Sequence, residues 1–551
     1  MKPLERHSGY YFRDHPGLGE ADETRCRRGQ SVKTMLRLTG ALVLAFPMRL
    51  PAQKFEVMET TIAEVQAAFA SGRLTCRALV QSYLDRIAAY DKTGPALNAI
   101  QFVNPRALEQ ADSLDAVRRN KGSRGSLHCV PVLLKDQVET STMPTTYGSA
   151  LFKDFIPKRD ATIVRRLTGA GALILAKTTM GEFASRFMGS AFGIVRNAYD
   201  PTRNPSGSSG GSASGVAANF GLVGIGEDTG GSIRGPAAVS SLVGLRPTTP
   251  LVSRFGMMPA NPSQDTMGPM TRCVADAARV LDVIAGYDPN DPVTAETIGN
   301  MPASYLSALK PDALKGARIG VLRSRRDSAT VARAPEEYAK VRSVFDRALA
   351  DLRKLGVEVV DSFAIPTLND RRAGNDFETE QATDAYLAQH PDAPVKTLKE
   401  ILLAGTVNPW RARGMMDLVG RRTTDPGYLT VMQQRAALRI SVLKAMADAR
   451  LDAIIYATYD APPTPIADDV LTNPRTADAY GRGDNRGLSP TIGFPALTVP
   501  AGFTSDSLPV GLELMGRPYT EAALLGYAFA YEQATKRRRP PPTTPPLRLT
   551  P

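Results

Sequence analysis

The chain has 551 residues, a length that suits several domains or one large enzyme domain. With 43% hydrophobic and 22% charged residues, the composition is that of a globular protein and excludes a disordered chain or a fibrous repeat. The formal net charge of +12 could attract nucleic acid, but most of the excess lies at the two ends of the chain, including the basic run 536–539. We therefore expect no nucleic-acid partner.

The amino-terminal 53 residues differ from the rest of the chain. Residues 1–34 are polar and Arg-rich and are predicted to be a non-native or disordered extension. Residues 35–53 resemble a signal peptide, because Met35 and a basic residue precede a short apolar run and an exit rich in small residues. If translation starts at Met35, the protein is exported to the periplasm or secreted. The alternative is a disordered tail with an incidental apolar patch on a cytoplasmic protein.

From residue 60 onward the pattern predicts alternating helices and strands. A helical pattern over 62–87 is followed by a short apolar run, 130–134, that predicts a buried strand ending at Lys135. Further elements are predicted as helix 163–167, strand 172–176, strand 317–322, helix 338–355, strand 357–360, strands 451–456, 496–499 and 511–514, and helix 522–534. The strand, helix and strand between 317 and 360 indicate parallel pairing.

These elements predict one α/β domain over 54–539, with a single large mixed sheet flanked by helices. Residues 362–440 are charged and helical and carry no motif, and 540–551 form an unstructured Pro-rich tail. No run of 18 apolar residues exists, so no membrane span is predicted.

Cysteine and histidine are both scarce. The four cysteines have no Cys-x-x-Cys spacing and no clustered histidine, which argues against a zinc site or a disulfide scaffold, and no metal is expected. We expect Cys76, Cys129 and Cys273 to be small buried side chains. Only four histidines are present, although most nucleophilic hydrolases need a histidine base.

The Gly/Ser-rich segment beginning at 206 allows two catalytic interpretations. The first is the nucleophile elbow of α/β-hydrolases, with Ser209 between Gly207 and Gly211. That esterase would need His390, the histidine that follows Ser209 in the chain, as its base.

The second interpretation is a Ser-Ser-Lys set with no histidine. Two glycines precede Ser232 and allow successive N–H groups to converge, as an oxyanion hole requires. Lys135 ends an apolar strand, and burial there would disfavour its charged form and let it act as a base. The hydroxyl of Ser208 can both donate and accept a hydrogen bond, so it could relay a proton between them.

Three segments in this order resemble the amidase signature family: 127–136 with Lys135, the run Gly-Ser-Ser-Gly-Gly-Ser from Gly207, and Gly226-Glu-Asp-Thr-Gly-Gly-Ser-Ile-Arg234. Segments 244–248, 493–500 and 508–513 are also similar to that family, so the resemblance spans about residues 60–535. It implies the amidase signature fold and hydrolysis of a carboxamide to a carboxylate and ammonia or an amine, without a cofactor.

The resemblance also assigns roles to residues. Lys135 is the base, Ser208 the bridging serine in a cis peptide, and Ser232 the nucleophile. The oxyanion hole is formed by the backbone N–H groups of Thr229, Gly230, Gly231 and Ser232. Ser209 is a supporting residue, as are Asp228 and Arg234, which either pair to brace the hole or form a solvated surface pair. Ser206 and Cys129 depart from the family pattern, at positions where glycine is usual.

The resemblance leaves one further alternative, an A-type subunit of the tRNA-dependent amidotransferase, which works in a complex; an exported chain would exclude it. The expected partner is a small-molecule amide. In that family specificity lies in variable segments, and residues 290–440 are expected to include such a segment here. The sequence does not identify which amide is the substrate, nor the oligomeric state.

Overall fold

The computed structural model describes residues 55–323, 331–361, 363–366, 368 and 375–547. The predicted extension 1–34 and signal peptide 35–53 lie outside the described residues. The strands, in chain order, are β1 (Ile100–Val103), β2 (Pro131–Lys135), β3 (Leu173–Thr178), β4 (Met188–Gly189), β5 (Gly193–Ile194), β6 (Val223–Asp228), β7 (Val243–Arg246), β8 (Thr266–Thr271), β9 (Arg318–Val321), β10 (Glu358–Val360), β11 (Ala453–Ala457), β12 (Ala496–Phe503) and β13 (Pro509–Met515).

The helices pack around these strands. In chain order, those of the described residues are α1 (Ile62–Ala70), α2 (Cys76–Tyr90), α3 (Ala107–Lys121), α4 (Thr162–Gly169), α5 (Gly210–Ala217), α6 (Arg234–Ala238), α7 (Val274–Ile284), α8 (Pro335–Lys354), α9 (Thr379–Ala388), α10 (Leu398–Leu403), α11 (Pro409–Met416), α12 (Pro426–Asp448), α13 (Leu488–Ile492) and α14 (Glu521–Thr535).

One 11-stranded sheet runs through the described domain in the order β1-β3-β2-β6-β8-β7-β12-β13-β11-β9-β10. Pairing is parallel among β3, β2 and β6 and among β10, β9 and β11, and antiparallel elsewhere, including β6 with β8 and β12 with β13. The predicted mixed sheet is thus confirmed. The predicted parallel pair around α8 is also present, as β9 and β10.

The parallel trio β3, β2 and β6 positions the candidate site. Strands β2 and β3 are buried along their whole length, which matches their continuous apolar runs. Because β2 and β6 run parallel and pair Leu134 with Ile225, the residues that end them reach the same edge of the sheet. Lys135 ends β2, and Glu227 and Asp228 end β6.

Two features differ from the sequence predictions. Cys76, the first residue of α2, forms a disulfide with Cys129, just before β2; both are buried as predicted, but they are not free thiols. The predicted unstructured tail instead packs on the domain as far as residue 547. There Arg86 donates a hydrogen bond to the backbone oxygen of Thr544 at 2.7 Å, and Thr544 is fully buried.

Candidate active site

Lys135 lies at the centre of a buried polar cluster. Its side chain has no solvent exposure, and its Nζ lies 2.7 Å from the Oγ of Ser208 and 2.7 Å from the Oε2 of Glu227. Nζ also donates to the backbone oxygen of Glu227 at 3.2 Å. The predicted contact between Lys135 and Ser208 is therefore present, and a carboxylate joins it.

Ser208 is held in the segment that leads into α5. The peptide bond between Gly207 and Ser208 is cis, as the resemblance implied. A Cβ atom on Gly207 would overlap the backbone oxygen of Arg186, so this close approach requires glycine. The backbone oxygen of Ser208 accepts a hydrogen bond from the N–H of Gly181 at 3.1 Å. These contacts fix the hydroxyl of Ser208 against Lys135.

Ser232 lies on the loop between β6 and α6. The backbone oxygen of Ser232 accepts a hydrogen bond from the N–H of Ser209 at 3.4 Å, which places Ser232 beside the segment that carries Ser208. Ser232 is half-buried and Gly230 is exposed, whereas Ser208 is fully buried. Of the two predicted serines, Ser232 is thus the one that an external molecule can reach.

The loop does not offer all four of the predicted oxyanion donors. The N–H of Gly231 donates to the Oδ1 of Asp228 at 2.7 Å, so that donor is occupied. Within the described chain, the N–H groups of Thr229, Gly230 and Ser232 donate to no protein acceptor. Three donors therefore remain for a ligand oxygen.

Asp228 braces this loop from inside the protein. Its Oδ2 accepts from the N–H of Ile233 at 3.1 Å and from the Nε of Arg234 at 3.1 Å, and Arg246 contacts its Oδ1 at 3.2 Å. Burial alone would raise the pKa of Asp228, but Arg234 and Arg246 outweigh it and hold that pKa well below its usual range. Because Asp228 and both arginines have no exposed side-chain surface, the bracing pair was the correct alternative, and a solvated surface pair was wrong.

The structure does not assemble the alternative esterase site. The hydroxyl of Ser209 donates to the backbone oxygen of Glu227 at 3.1 Å and accepts from its N–H at 3.3 Å, which ties Ser209 to β6. The Nε2 of His390 instead lies 2.8 Å from the Oε1 of Glu139, in a cluster with Tyr386 and Phe155. Ser209 thus supports the fold of the site, and His390 belongs to another cluster.

Sequence reasoning missed two groups beside the site. Glu227 contacts Lys135 directly, and this contact depends on the pairing of β2 with β6, which the sequence analysis did not predict. Ser206, which departs from the family pattern, places its Oγ 2.6 Å from the hydroxyl of Tyr459. Tyr459 is more than 250 residues away in sequence, and no pattern in the chain links the two.

A cleft is lined partly by residues of the segment that contacts Ser208. Its larger apolar side chains are Tyr147, Met180, Phe183, Met258, Leu398 and Met415. The polar residues in its lining are Gln137, Thr379, Thr383 and Arg411. Met180 immediately precedes Gly181, whose N–H donates to the backbone oxygen of Ser208, so one wall of the cleft is continuous with the segment that holds Ser208. Leu398 and Met415 come from the segment 290–440 that we expected to vary.

Neither a metal cluster nor a membrane span is present in the described part of the chain. Among those residues, no group of three or more His, Cys, Asp or Glu side chains could hold a metal ion. Every helix in the described ranges is too short or too polar to cross a membrane.

Comparisons with known proteins agree with this geometry. The family model described as Amidase matches residues 78–525. A protein of Arabidopsis thaliana described as "Probable amidase" is 33% identical, covering 91% of this chain and 95% of its own. The A-type subunit of the glutamyl-tRNA(Gln) amidotransferase from Moorella thermoacetica is 36% identical, covering 82% and 92%.

Among solved structures, the native peptide amidase of Stenotrophomonas maltophilia is similar, with a TM-score of 0.76 and 36% identity. The match covers 88% of this chain and 98% of that one. The motifs and the mixed sheet agree with the family match, which covers most of the chain. The chain belongs to the amidase family.

Proposed function

We propose that this amidase hydrolyses a carboxamide to a carboxylate and ammonia or an amine through an acyl-enzyme on Ser232. Ser232 is the nucleophile, Ser208 relays its proton, and Lys135 is the base. A serine hydroxyl is a poor nucleophile unless a neighbouring base removes its proton. The observation that carries the proposal is the 2.7 Å contact between Lys135 Nζ and Ser208 Oγ, buried behind a half-exposed Ser232.

The proton route follows from these groups. As Ser232 Oγ bonds to the carbonyl carbon, its proton passes to Ser208 Oγ, and the proton of Ser208 passes to Lys135 Nζ. When the C–N bond breaks, Lys135 returns a proton through Ser208 to the leaving nitrogen. Water then repeats the sequence on the ester, which releases the carboxylate and restores Ser232.

The negative charge that develops on the carbonyl oxygen needs fixed donors. We propose the N–H groups of Thr229, Gly230 and Ser232 for this role, with Gly231 committed to Asp228. Loss of one such donor in other enzymes costs about 10²–10³ in rate. The brace of Asp228 by two buried arginines supports this assignment, because it keeps the loop in one geometry.

The substrate class that we propose is an amide with an apolar group next to the scissile bond. The lining of the cleft described above is mainly apolar and includes three methionines and two aromatic side chains, which favour such a group. This proposal is tested with a panel of small carboxamides whose acyl groups range from acetyl to phenylalanyl. We expect kcat/KM to rise with apolar size, and a preference for small or anionic acyl groups would contradict it.

The roles are tested with a fluorophosphonate, which needs no knowledge of the substrate. The full chain is treated in three forms: wild type, Lys135→Ala and, as a control, Lys310→Ala, which removes an exposed lysine. We expect mass spectrometry to find the label on Ser232 in wild type and control, and little label in Lys135→Ala. Label on Ser209 that survives Lys135→Ala would overturn the mechanism.

The similarity to A-type amidotransferase subunits favours one second candidate, a glutaminase that passes ammonia to a partner. We propose instead that the protein is exported and acts alone. The predicted signal peptide supports export, and so does the Cys76–Cys129 disulfide, because disulfides persist mainly in oxidising compartments. Fusion of residues 35–60 to a reporter tests this: no export, together with strong glutamine hydrolysis in the presence of the other amidotransferase components, would favour the second candidate.

A further inference from the structure

Glu227 is a buried carboxylate that the proton route above does not use. It lies at the end of β6, its side chain has no solvent exposure, and its Oε2 lies 2.7 Å from Lys135 Nζ. Its other oxygen, Oε1, lies 2.6 Å from the hydroxyl of Thr229. The same hydroxyl lies 2.8 Å from the Oδ1 of Asp265, which is also buried. Lys135, Glu227, Thr229 and Asp265 therefore form one continuous chain of contacts.

The directions of these hydrogen bonds depend on the protonation of Asp265. The hydroxyl of Thr229 has one proton, so it can donate to only one of the two carboxyl groups. When Asp265 is protonated, it can donate to this hydroxyl, which then donates to Glu227. Its proton would then lie on Oδ1, because Oδ2 accepts from the N–H groups of Ala260 and Asn261, each at 2.8 Å. Burial, and then the charge of Glu227, raises the pKa of Asp265 to about 7, in agreement with this assignment.

Glu227 is the member of the carboxyl pair that contacts Lys135. The other charged groups near it come from neighbouring strands. The charge of Arg246 on β7 attracts Glu227, but the Arg246 side chain forms its ion pair with Asp228. Asp228 also forms an ion pair with Arg234. The cation in direct contact with Glu227 is thus Lys135.

We propose that Glu227 is a positioning residue that controls the protonation of Lys135 and holds its Nζ against Ser208. This inference rests on the proposed roles of Ser232 and Lys135. An ionised carboxylate in contact favours the ammonium form of a lysine. Without this carboxylate, we therefore expect Lys135 to act as a base at lower pH. During acylation the carboxylate stabilises the ammonium that forms when Ser208 passes on its proton.

Loss of Glu227 should therefore make Lys135 available as a base at lower pH, but it should also slow acylation. A pH profile separates these two effects. In Glu227→Gln the charge is lost but the size is kept. We expect the acid limb of the profile to move to lower pH by at least about one unit, the lower end of the shift that a neighbouring opposite charge causes. We also expect the plateau rate to fall about tenfold or more, because the ammonium loses its partner. A purely structural role would lower the plateau and leave the limb in place.

The experiment measures the rate at which a fluorophosphonate labels Ser232 in the full chain across the neutral and alkaline pH range. Wild type, Glu227→Gln and Asp265→Asn are compared. The matched control is Glu513→Gln, which removes another fully buried carboxylate, one that contacts Arg234 and not Lys135. Circular dichroism establishes that each variant is folded.

Asp265→Asn keeps the test decisive if Glu227→Gln fails to fold. Asp265 carries a charge above its pKa of about 7, one step further from Lys135 than Glu227. Its loss should therefore shift the limb in the same direction by less.

The outcomes distinguish the two proposals. A shift of the acid limb to lower pH in Glu227→Gln or Asp265→Asn, with no such shift in Glu513→Gln, supports the role of Glu227. Unmoved limbs in folded Glu227→Gln and Asp265→Asn overturn it, while the nucleophile remains established by the label. If wild type is not labelled on Ser232 at any pH, the proposed function itself has failed.

Discussion

Lys135 and Lys177 lie on the neighbouring parallel strands β2 and β3, and neither has any solvent exposure. The register pairs Lys177 with Leu134, so the two lysines point to opposite faces of the sheet. Lys177 donates to the backbone oxygen of Val138 at 2.7 Å and to the hydroxyl of Thr145 at 2.8 Å, and lies 3.5 Å from Asp136. It therefore holds the loop that follows β2.

The difference between the two lysines lies in their partners and not in their burial. Lys177 contacts a backbone oxygen, which can only accept a hydrogen bond, and the hydroxyl of Thr145, which lies on the loop after β2 and not on the segments that carry Ser208 and Ser232. Lys135 contacts the hydroxyl of Ser208, which in the proposed mechanism passes on the proton of Ser232. Burial of a lysine thus indicates a catalytic base only where a group that can transfer a proton from the nucleophile lies in contact with it.

The largest expected effect comes from removing the lysine that contacts Ser208. In Lys135→Ala we expect kcat to fall by at least about 10³, because residues that act as one catalytic unit cannot substitute for each other. The measurement is steady-state hydrolysis of the best amide in the panel. Lys310→Ala, at the protein surface, is the control and should retain the wild-type rate. A loss below about tenfold would remove Lys135 from the mechanism.

A smaller loss is expected when the brace of the loop between β6 and α6, which we propose as the oxyanion hole, is weakened. In Asp228→Asn the size is kept, but the charge that Arg234 and Arg246 share is lost, and we expect kcat to fall about 10²-fold. The free energy of unfolding should fall by about 3–5 kcal/mol, because two buried cations lose their partner. Asp112→Asn, which breaks an exposed pair with Arg77, is the control and should cost at most about 1 kcal/mol.

Much of the site could be predicted from the sequence, but not all of it. Lys135 is predictable because an apolar strand precedes it. The helix and the strand that follow Ser206 could not be predicted from the sequence. Both α5 and β6 are rich in glycine, which has low helix and strand propensity. Tertiary packing overrides that propensity, since a Cβ on Gly211 would overlap the backbone oxygens of two neighbouring segments.

The missed contacts are those between residues distant in sequence. Glu227 belongs to a recognised motif, yet its contact with Lys135 becomes visible only when β2 and β6 are known to be adjacent. The Cys76–Cys129 disulfide spans 53 residues without a spacing pattern, so the sequence could not distinguish it from two buried thiols. Secondary-structure patterns do not encode which elements meet.

Lys177 should matter for stability and much less for catalysis. In Lys177→Met we expect the enzyme to keep far more activity than Lys135→Ala, measured well below its melting temperature. Burial lowers the pKa of Lys177 from its usual 10.5 to about 8. Because the unfolded chain holds this proton more tightly, the cost of burial is complete below pH 8 and disappears as the pH rises toward 10.5.

The direction of this pH dependence of stability can be tested. The difference in unfolding free energy between wild type and Lys177→Met should shift in favour of wild type between pH 8 and 10.5, by up to about 3 kcal/mol. Urea denaturation at several pH values measures it. A difference independent of pH in this window would show that Lys177 does not lose its proton there.

The smallest effect on catalysis is expected at the opposite end of β2. Cys129 precedes this strand and Lys135 ends it, and β2 itself spans roughly 13 Å at about 3.3 Å per residue. In the double variant Cys76→Ser, Cys129→Ser we expect stability to fall by about 2–4 kcal/mol, because the unfolded chain gains freedom, while kcat is unchanged. Denaturation midpoints of oxidised, reduced and variant protein measure the fall in stability, with Cys273→Ser as the control. A large fall in kcat in the folded variant would mean that the disulfide helps to position Lys135, and that the two ends of β2 are not independent.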